Sequence, residues 1–141
     1  MKIKHKLKTL AVASALAGAF ASPAHAVPVA LELALLIDVS GSVSTSEYNL
    51  QKTGYVDAFK NATVQSAISS LTGGIAVTYI EWSGSTQQST LVGWTHITDA
   101  ASSSAFATAI QGTSRAFSGS TAPGAAIAYA DPRFDDNGFE G

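Results

Sequence analysis

One short stretch concentrates side chains that could do chemistry: Asp38-Val39-Ser40-Gly41-Ser42. A carboxylate and two hydroxyls at alternate positions make a hard oxygen set. Mg2+ takes such ligands, in octahedral geometry and with several waters retained. Gly41 is expected to let the backbone turn tightly between the serines. The serines could instead be nucleophiles, which need a base within hydrogen-bond reach. His96, with Asp99 nearby, is the histidine available for that role, because His5 and His25 fall in an expected export segment. It follows an edge-like strand, away from the end of the first strand, and no Gly-x-Ser-x-Gly elbow occurs. A serine hydrolase using Ser40 or Ser42 is therefore the rival reading, not the leading one. Phosphoryl transfer is poorly served as well: no G-x-x-x-x-G-K-[ST] loop occurs, and Ser40 stands where an Asp-x-Asp phosphatase needs a second carboxylate. The structural alternative for Asp38, Ser40 and Ser42 is a helix-capping turn.

The elements that must position this stretch follow from hydrophobic pattern. Leu31 to Ile37 is a short, nearly continuous apolar run, the mark of a strand buried on both faces. Ligands bind at the carboxyl ends of such strands, where Asp38 lies. Ser44-Thr45-Ser46-Glu47 is a capping box opening a helix over about 45–61. A shorter helical stretch covers 63–71 and stops at Gly73-Gly74. Ile75 to Trp82 is a β-branched and aromatic strand, and Gln87 to Trp94 is a more polar edge strand paired to it as a hairpin. Thr98 or Asp99 caps a helix expected to reach about Phe117, weakened at Gly112. Pro123 suits the first turn of a last helix, which Asp131-Pro132 ends. The tail from Asp135 to Gly141 reads as polar and turn-like, without a strand. Glu81 reads as a strand-end residue, Asp99 as a cap, and Trp82 and Trp94 as core or sheet-edge aromatics. The order is α/β with a parallel component.

Composition narrows the function. Residues 1–26 read as a secretory signal: Lys2, Lys4, Lys6 and Lys8, an uncharged apolar run from Leu10 to Ala21, then Ala24-His25-Ala26. That run is shorter than the ~20 residues of a membrane span. With it removed, 141 − 26 = 115 residues remain; basic residues fall to 8 − 4 = 4 while all 10 acidic ones stay, a net charge of 4 − 10 = −6. Nucleic acid and anionic membrane surfaces need clustered Lys and Arg, so neither is an expected partner. The absence of cysteine removes disulfides, thiolate metal sites and cysteine nucleophiles. An exported bacterial protein, periplasmic or secreted, is the expected setting.

Asp38-x-Ser40-x-Ser42 behind a buried strand resembles the metal-ion-dependent adhesion site (MIDAS) of von Willebrand factor type A (vWA) domains. The resemblance implies a Rossmann-like fold: a central, mostly parallel sheet with one antiparallel edge strand, flanked by helices. It also implies a second metal-site loop with a threonine before a helix, which Thr121 matches within Gly119-Ser120-Thr121-Ala122-Pro123. The alternative for Thr121 is a plain helix N-cap. The implied cofactor is Mg2+ (or Mn2+ or Ca2+), the implied partner a protein offering a carboxylate, and the implied activity binding and not catalysis. Glu81-Trp82-Ser83, Val92-Gly93-Trp94-Thr95 and Asp136-Asn137-Gly138-Phe139-Glu140-Gly141 further resemble an uncharacterised family of exported bacterial proteins with this domain. In that family a further strand and a third metal-site aspartate follow. The expectation is thus a vWA-like domain over 27–141 that is incomplete at its C-terminus, with one edge of strand 31–38 uncovered. A non-functional fragment is the alternative.

Overall fold

Residues 25–141 are described by a computed structural model. The expected export signal therefore lies outside the described residues, apart from His25 and Ala26. The elements in chain order are β1 (Val27–Pro28), β2 (Leu31–Asp38), α1 (Thr45–Lys60), α2 (Ala62–Ser69), β3 (Ile75–Trp82), β4 (Gln88–Ile97), α3 (Ala100–Gln111), α4 (Pro123–Ala130) and β5 (Phe139–Glu140).

Local chemistry sets most boundaries. Ser44 caps α1: its hydroxyl accepts from the Glu47 amide at 3.3 Å, and the Glu47 carboxylate accepts from the Ser44 amide at 2.8 Å. This is the reciprocal box read from the sequence. Asn61 ends α1 and caps α2, its side-chain oxygen accepting from the Thr63 and Val64 amides. Gly73 and Gly74 carry φ of +80° and +67°, which side chains rarely tolerate, and a Cβ on Gly74 would stand 2.2 Å from the Ile97 carbonyl oxygen. They turn the chain from α2 into β3. Asp99 caps α3, as expected, accepting from the Ser102 amide at 2.7 Å.

The main sheet has the order β2-β3-β4. β2 and β3 run parallel, from Leu31 beside Ile75 to Asp38 beside Trp82, joined by the α1–α2 crossover. β3 and β4 form the antiparallel hairpin, with a register irregularity between Val77 and Ile80. Alternate residues face opposite sides. On one side Ile37, Ile75, Val77 and Tyr79 pack with α1 and α3, where Phe59 meets Phe106 edge-on at 4.8 Å. On the other, Ala76 and Ile80 are fully buried, and α4 lies across the strands with Ala126 and Ala130 buried. Each fully buried Ile or Phe contributes about 1.5–3 kcal/mol.

Three expectations are corrected. The helix foreseen through Phe117 stops at Gln111, with Gly112 as its C-cap, and residues 112–122 run as an irregular loop. Tertiary partners take over there: the Ala116 amide donates to Glu81 and the Arg115 side chain reaches the loop after β2. The tail also contains a strand. β5 pairs parallel with β1, Val27 beside Phe139 and Pro28 beside Glu140. The Val29 amide donates to the Glu140 carbonyl at 2.9 Å, and Asn137 donates from its side chain to the Glu32 carboxylate. Two residues carry too little pattern to be read as a strand; the pairing exists because the N-terminal segment lies alongside. The strand register of the second hairpin arm also extends past Trp94 to Ile97.

Candidate metal centre

β2 delivers Asp38 to the carboxyl end of the sheet, beside Trp82 of β3. The Val39 amide still pairs with the Trp82 carbonyl at 2.9 Å, so Asp38 is held on a strand and not on a free loop. One Asp38 oxygen, Oδ1, accepts from the Ser40 amide at 2.8 Å and from the Ser40 hydroxyl. Ser40 is buried, at 1% exposure, whereas Ser42 is exposed. The Val43 amide closes the turn onto the Ser40 carbonyl at 2.9 Å.

A second loop is clamped against this one. The Gly41 amide donates to the Gly119 carbonyl at 2.7 Å. Buried Ser83, just past β3, accepts from the Gly119 amide at 2.8 Å and donates to the Ser120 carbonyl at 2.9 Å. Its own carbonyl accepts from the Ala122 amide at 2.9 Å. Thr121 thus sits between two pinned residues, exposed, immediately before α4. Ala122 occupies the N-cap position of α4 and no side chain caps that helix, so Thr121 is not the cap. Ser44 likewise takes the cap of α1, which leaves Asp38, Ser40 and Ser42 without a helix-capping duty.

Gly41 lies in the expected turn and has a second duty there. Its φ is not positive; a Cβ there would instead lie 3.1 Å from the Ser118 carbonyl oxygen and 3.3 Å from that of Gly119. The glycine is needed for the close approach of the two loops.

The donor set is one carboxylate and three hydroxyls. Among the described residues, no hydrogen bond engages the second Asp38 oxygen or the Ser42 and Thr121 hydroxyls. These are hard ligands suited to Mg2+, Mn2+ or Ca2+. The described residues hold no cluster of three or more His, Cys, Asp or Glu. The residues fit a cation site of few charges, whose shell would need waters to complete it.

Beneath the loops lies Glu81, which the sequence marks only as a strand-end residue. Glu81 is fully buried; one oxygen accepts from the Tyr48 hydroxyl at 3.0 Å and the other from the Ala116 amide at 2.8 Å. Burial, then the Glu81 hydrogen bond and charge, push the Tyr48 hydroxyl up to about 12. The available signal was a carboxylate inside an otherwise β-branched and aromatic run. Trp82 is core, at 8% exposure, and Trp94 is a half-buried edge residue whose indole donates to the Arg133 carbonyl at 2.8 Å. His96 does not join the serines. It pairs with Ala76 at the other end of β3, six residues from the Trp82–Asp38 pair, or about 20 Å at strand rise. Its ring lies against Phe139, and Nε2 is 2.7 Å from the Gly73 carbonyl oxygen.

Comparison with known proteins bears on the family and the fold. Residues 28–141 match the model of a family described as "Protein of unknown function (DUF1194)". A comparison with curated proteins returns no match. Among solved structures the chain is similar to proximal thread matrix protein 1 of the mussel byssus with a zinc-occupied MIDAS motif, at 17% identity and a TM-score of 0.52, over 78% of this chain and 26% of that one. It is also similar to the pilus adhesin SpaC of Lactobacillus rhamnosus GG, at 18% identity and a TM-score of 0.50, over 78% of this chain and 14% of that one. The chain thus spans about a quarter or less of the length of these proteins, and identities this low speak for the fold alone. The chain belongs to the family of proteins of unknown function that its sequence matches, and its fold is that of the vWA domains.

Proposed function

We propose that this is an exported module that binds a protein partner through a divalent cation, with Asp38, Ser40, Ser42 and Thr121 as the cation's protein ligands. The observation that carries the reading is the 2.7 Å bond from the Gly41 amide to the Gly119 carbonyl, which holds the Asp38–Ser42 loop against the loop bearing Thr121. A strand end, an Asx-type turn and a Ser83 clamp preorganise the oxygen ligands, and the second Asp38 oxygen and the Ser42 and Thr121 hydroxyls have no hydrogen-bond partner among the described residues. Mg2+ is the preferred ion for such a set. When bound it supplies a Lewis-acidic position for a partner's carboxylate. Asp38 supplies the single negative charge. The exposed hydroxyls of Ser42 and Thr121 would hold the ion without neutralising it further, which would leave an anionic partner attracted to it. The structures it resembles include a matrix protein and a pilus adhesin, which is in keeping with a binding role. Export is supported by the lysine-rich start, the apolar run and the Ala-His-Ala site of residues 1–26.

Calorimetric titration with Mg2+ tests the site. The wild-type chain is expected to give saturable heat and Asp38→Ala none; equal heats from both overturn the assignment. N-terminal sequencing of the exported chain is expected to begin at Val27.

A further inference from the structure

Arg115 stands apart from the four proposed ligands yet touches the loop that carries three of them. One terminal nitrogen, Nη2, donates to the Val39 carbonyl at 2.9 Å and to the Ser40 carbonyl at 2.7 Å. Nε donates to the Phe117 carbonyl at 2.9 Å, which curls the side chain back on its own loop. The guanidinium lies 5.6 Å from the centre of the Tyr48 ring, over its face. The next residue, Ala116, is pinned by its amide to the buried Glu81 carboxylate, and the other Glu81 oxygen accepts from Tyr48. A hydrogen-bonded path therefore runs from the β3 core through Glu81 and residues 115–117 to the backbone of residues 39–40. An arginine suits the end of this path because its planar fork fixes several donors at once and keeps its charge when half-buried.

We propose that Arg115 is a positioning residue for the cation site, holding the Asp38–Ser42 loop in its binding shape from behind. The inference rests on the reading of Asp38, Ser40 and Ser42 as cation ligands. It makes a prediction opposite in sign to simple electrostatics. A guanidinium near the site repels a divalent cation, so charge alone says that removing Arg115 tightens binding. Positioning says that binding weakens, because outer-shell partners orient the ligands themselves.

The test uses the full chain as wild type, Arg115→Ala and Arg115→Lys, with Mg2+ alone as probe. Arg115→Ala is expected to lower Mg2+ affinity about 10- to 100-fold, the usual range for loss of an outer-shell partner. Arg115→Lys keeps the charge and the aromatic contact but loses the fork, so it falls between the two. Unchanged or tighter binding by Arg115→Ala overturns the proposal. Amide exchange supplies a second readout that does not depend on metal. In metal-free Arg115→Ala the Gly41 amide is expected to exchange ~10-fold faster, while those of Val77 and Tyr79 in β3 are unchanged. Unchanged Gly41 protection overturns the proposal. Should the wild type bind no Mg2+, the cation reading fails by itself and the exchange arm alone decides the role of Arg115. If Arg115→Ala does not fold, Arg115→Lys is read by the same two measurements and the same criteria.

Discussion

β2 and β3 are neighbours of equal length in one sheet, and both read as apolar strands, yet they live in different surroundings. β3 holds Thr78 and Glu81, and every one of its eight residues is buried. β2, with four leucines and an isoleucine among its first seven residues, buries only Ile37 fully, and Leu31 is 47% exposed. Sheet order explains the inversion. β3 lies between β2 and β4, whereas β2 has no strand on its outer edge among the described residues. Burial is a property of position in the sheet, and hydrophobicity only states a preference for it. The polar groups on β3 are tolerated because each is satisfied: Thr78 donates to the Val92 carbonyl at 2.8 Å, and Glu81 has two donors. β3 acts as the spine, and β2 presents the candidate site at its end.

Matched truncations put the largest weight on this contrast. Ile80→Ala is expected to cost about 3–4 kcal/mol and Leu35→Ala about 1–2 kcal/mol, within the range for buried aliphatic deletions and discounted for partial exposure. Urea unfolding of both variants checks it, and equal losses would mean that β2 is as well covered as β3. Glu81→Gln comes next, at about 1–3 kcal/mol, because an amide has one acceptor oxygen and the Tyr48 hydroxyl and Ala116 amide now donate to two. Should that variant unfold like wild type, the buried carboxylate is not what anchors the 112–122 loop.

The third expectation concerns pH. The Tyr48 hydroxyl is raised from 10.0 to about 12 in the folded chain. Below pH 10 it is neutral in both states, and its contribution to stability is complete. Between pH 10 and about 12 the unfolded chain releases this proton and the folded chain keeps it, so stability falls with rising pH. Thermal melts through that window should show a shallower decline for Tyr48→Phe than for wild type; identical slopes would remove Tyr48 from the β3 network. The smallest stability effect belongs to the β2 side. Gly41→Ala should cost below ~1 kcal/mol, since its Cβ meets a carbonyl oxygen at 3.1 Å in an exposed loop, while Mg2+ binding weakens several-fold. A variant with full affinity would show that the close approach of the two loops is dispensable.

Much of the layout was legible because it is written in local chemistry. The Ser44–Glu47 box, the Gly73-Gly74 stop, the β3–β4 hairpin and the Asp99 cap each depend on residues close in sequence. The failures share the opposite cause. α3 stops early because Glu81 and the loop after β2, distant in sequence, take the hydrogen-bonding groups of residues 115–116. β5 exists only because Val27–Pro28 lies beside it. Gly41 does lie in the Ser40–Val43 turn, but its further constraint, the Ser118 carbonyl 77 residues away, has no local signature. Arg115 carries no motif, and the Glu81-Trp82-Ser83 phrase gives no sign of the buried hydrogen bonds that Glu81 makes.

The sequence by itself determined the α/β class, the order of the long elements, and the oxygen-rich stretch behind the first strand. Hydrophobic period, caps and glycines are local, and they act before any tertiary contact forms. Only the tertiary structure decided which apolar strand is buried, that residues 118–122 close on residues 38–42, and that Thr121 is free of capping duty. Those outcomes depend on hydrogen bonds between segments far apart in the chain, the Gly41–Gly119 backbone bond and the Ser83 clamp among them, and no local pattern announces such partners.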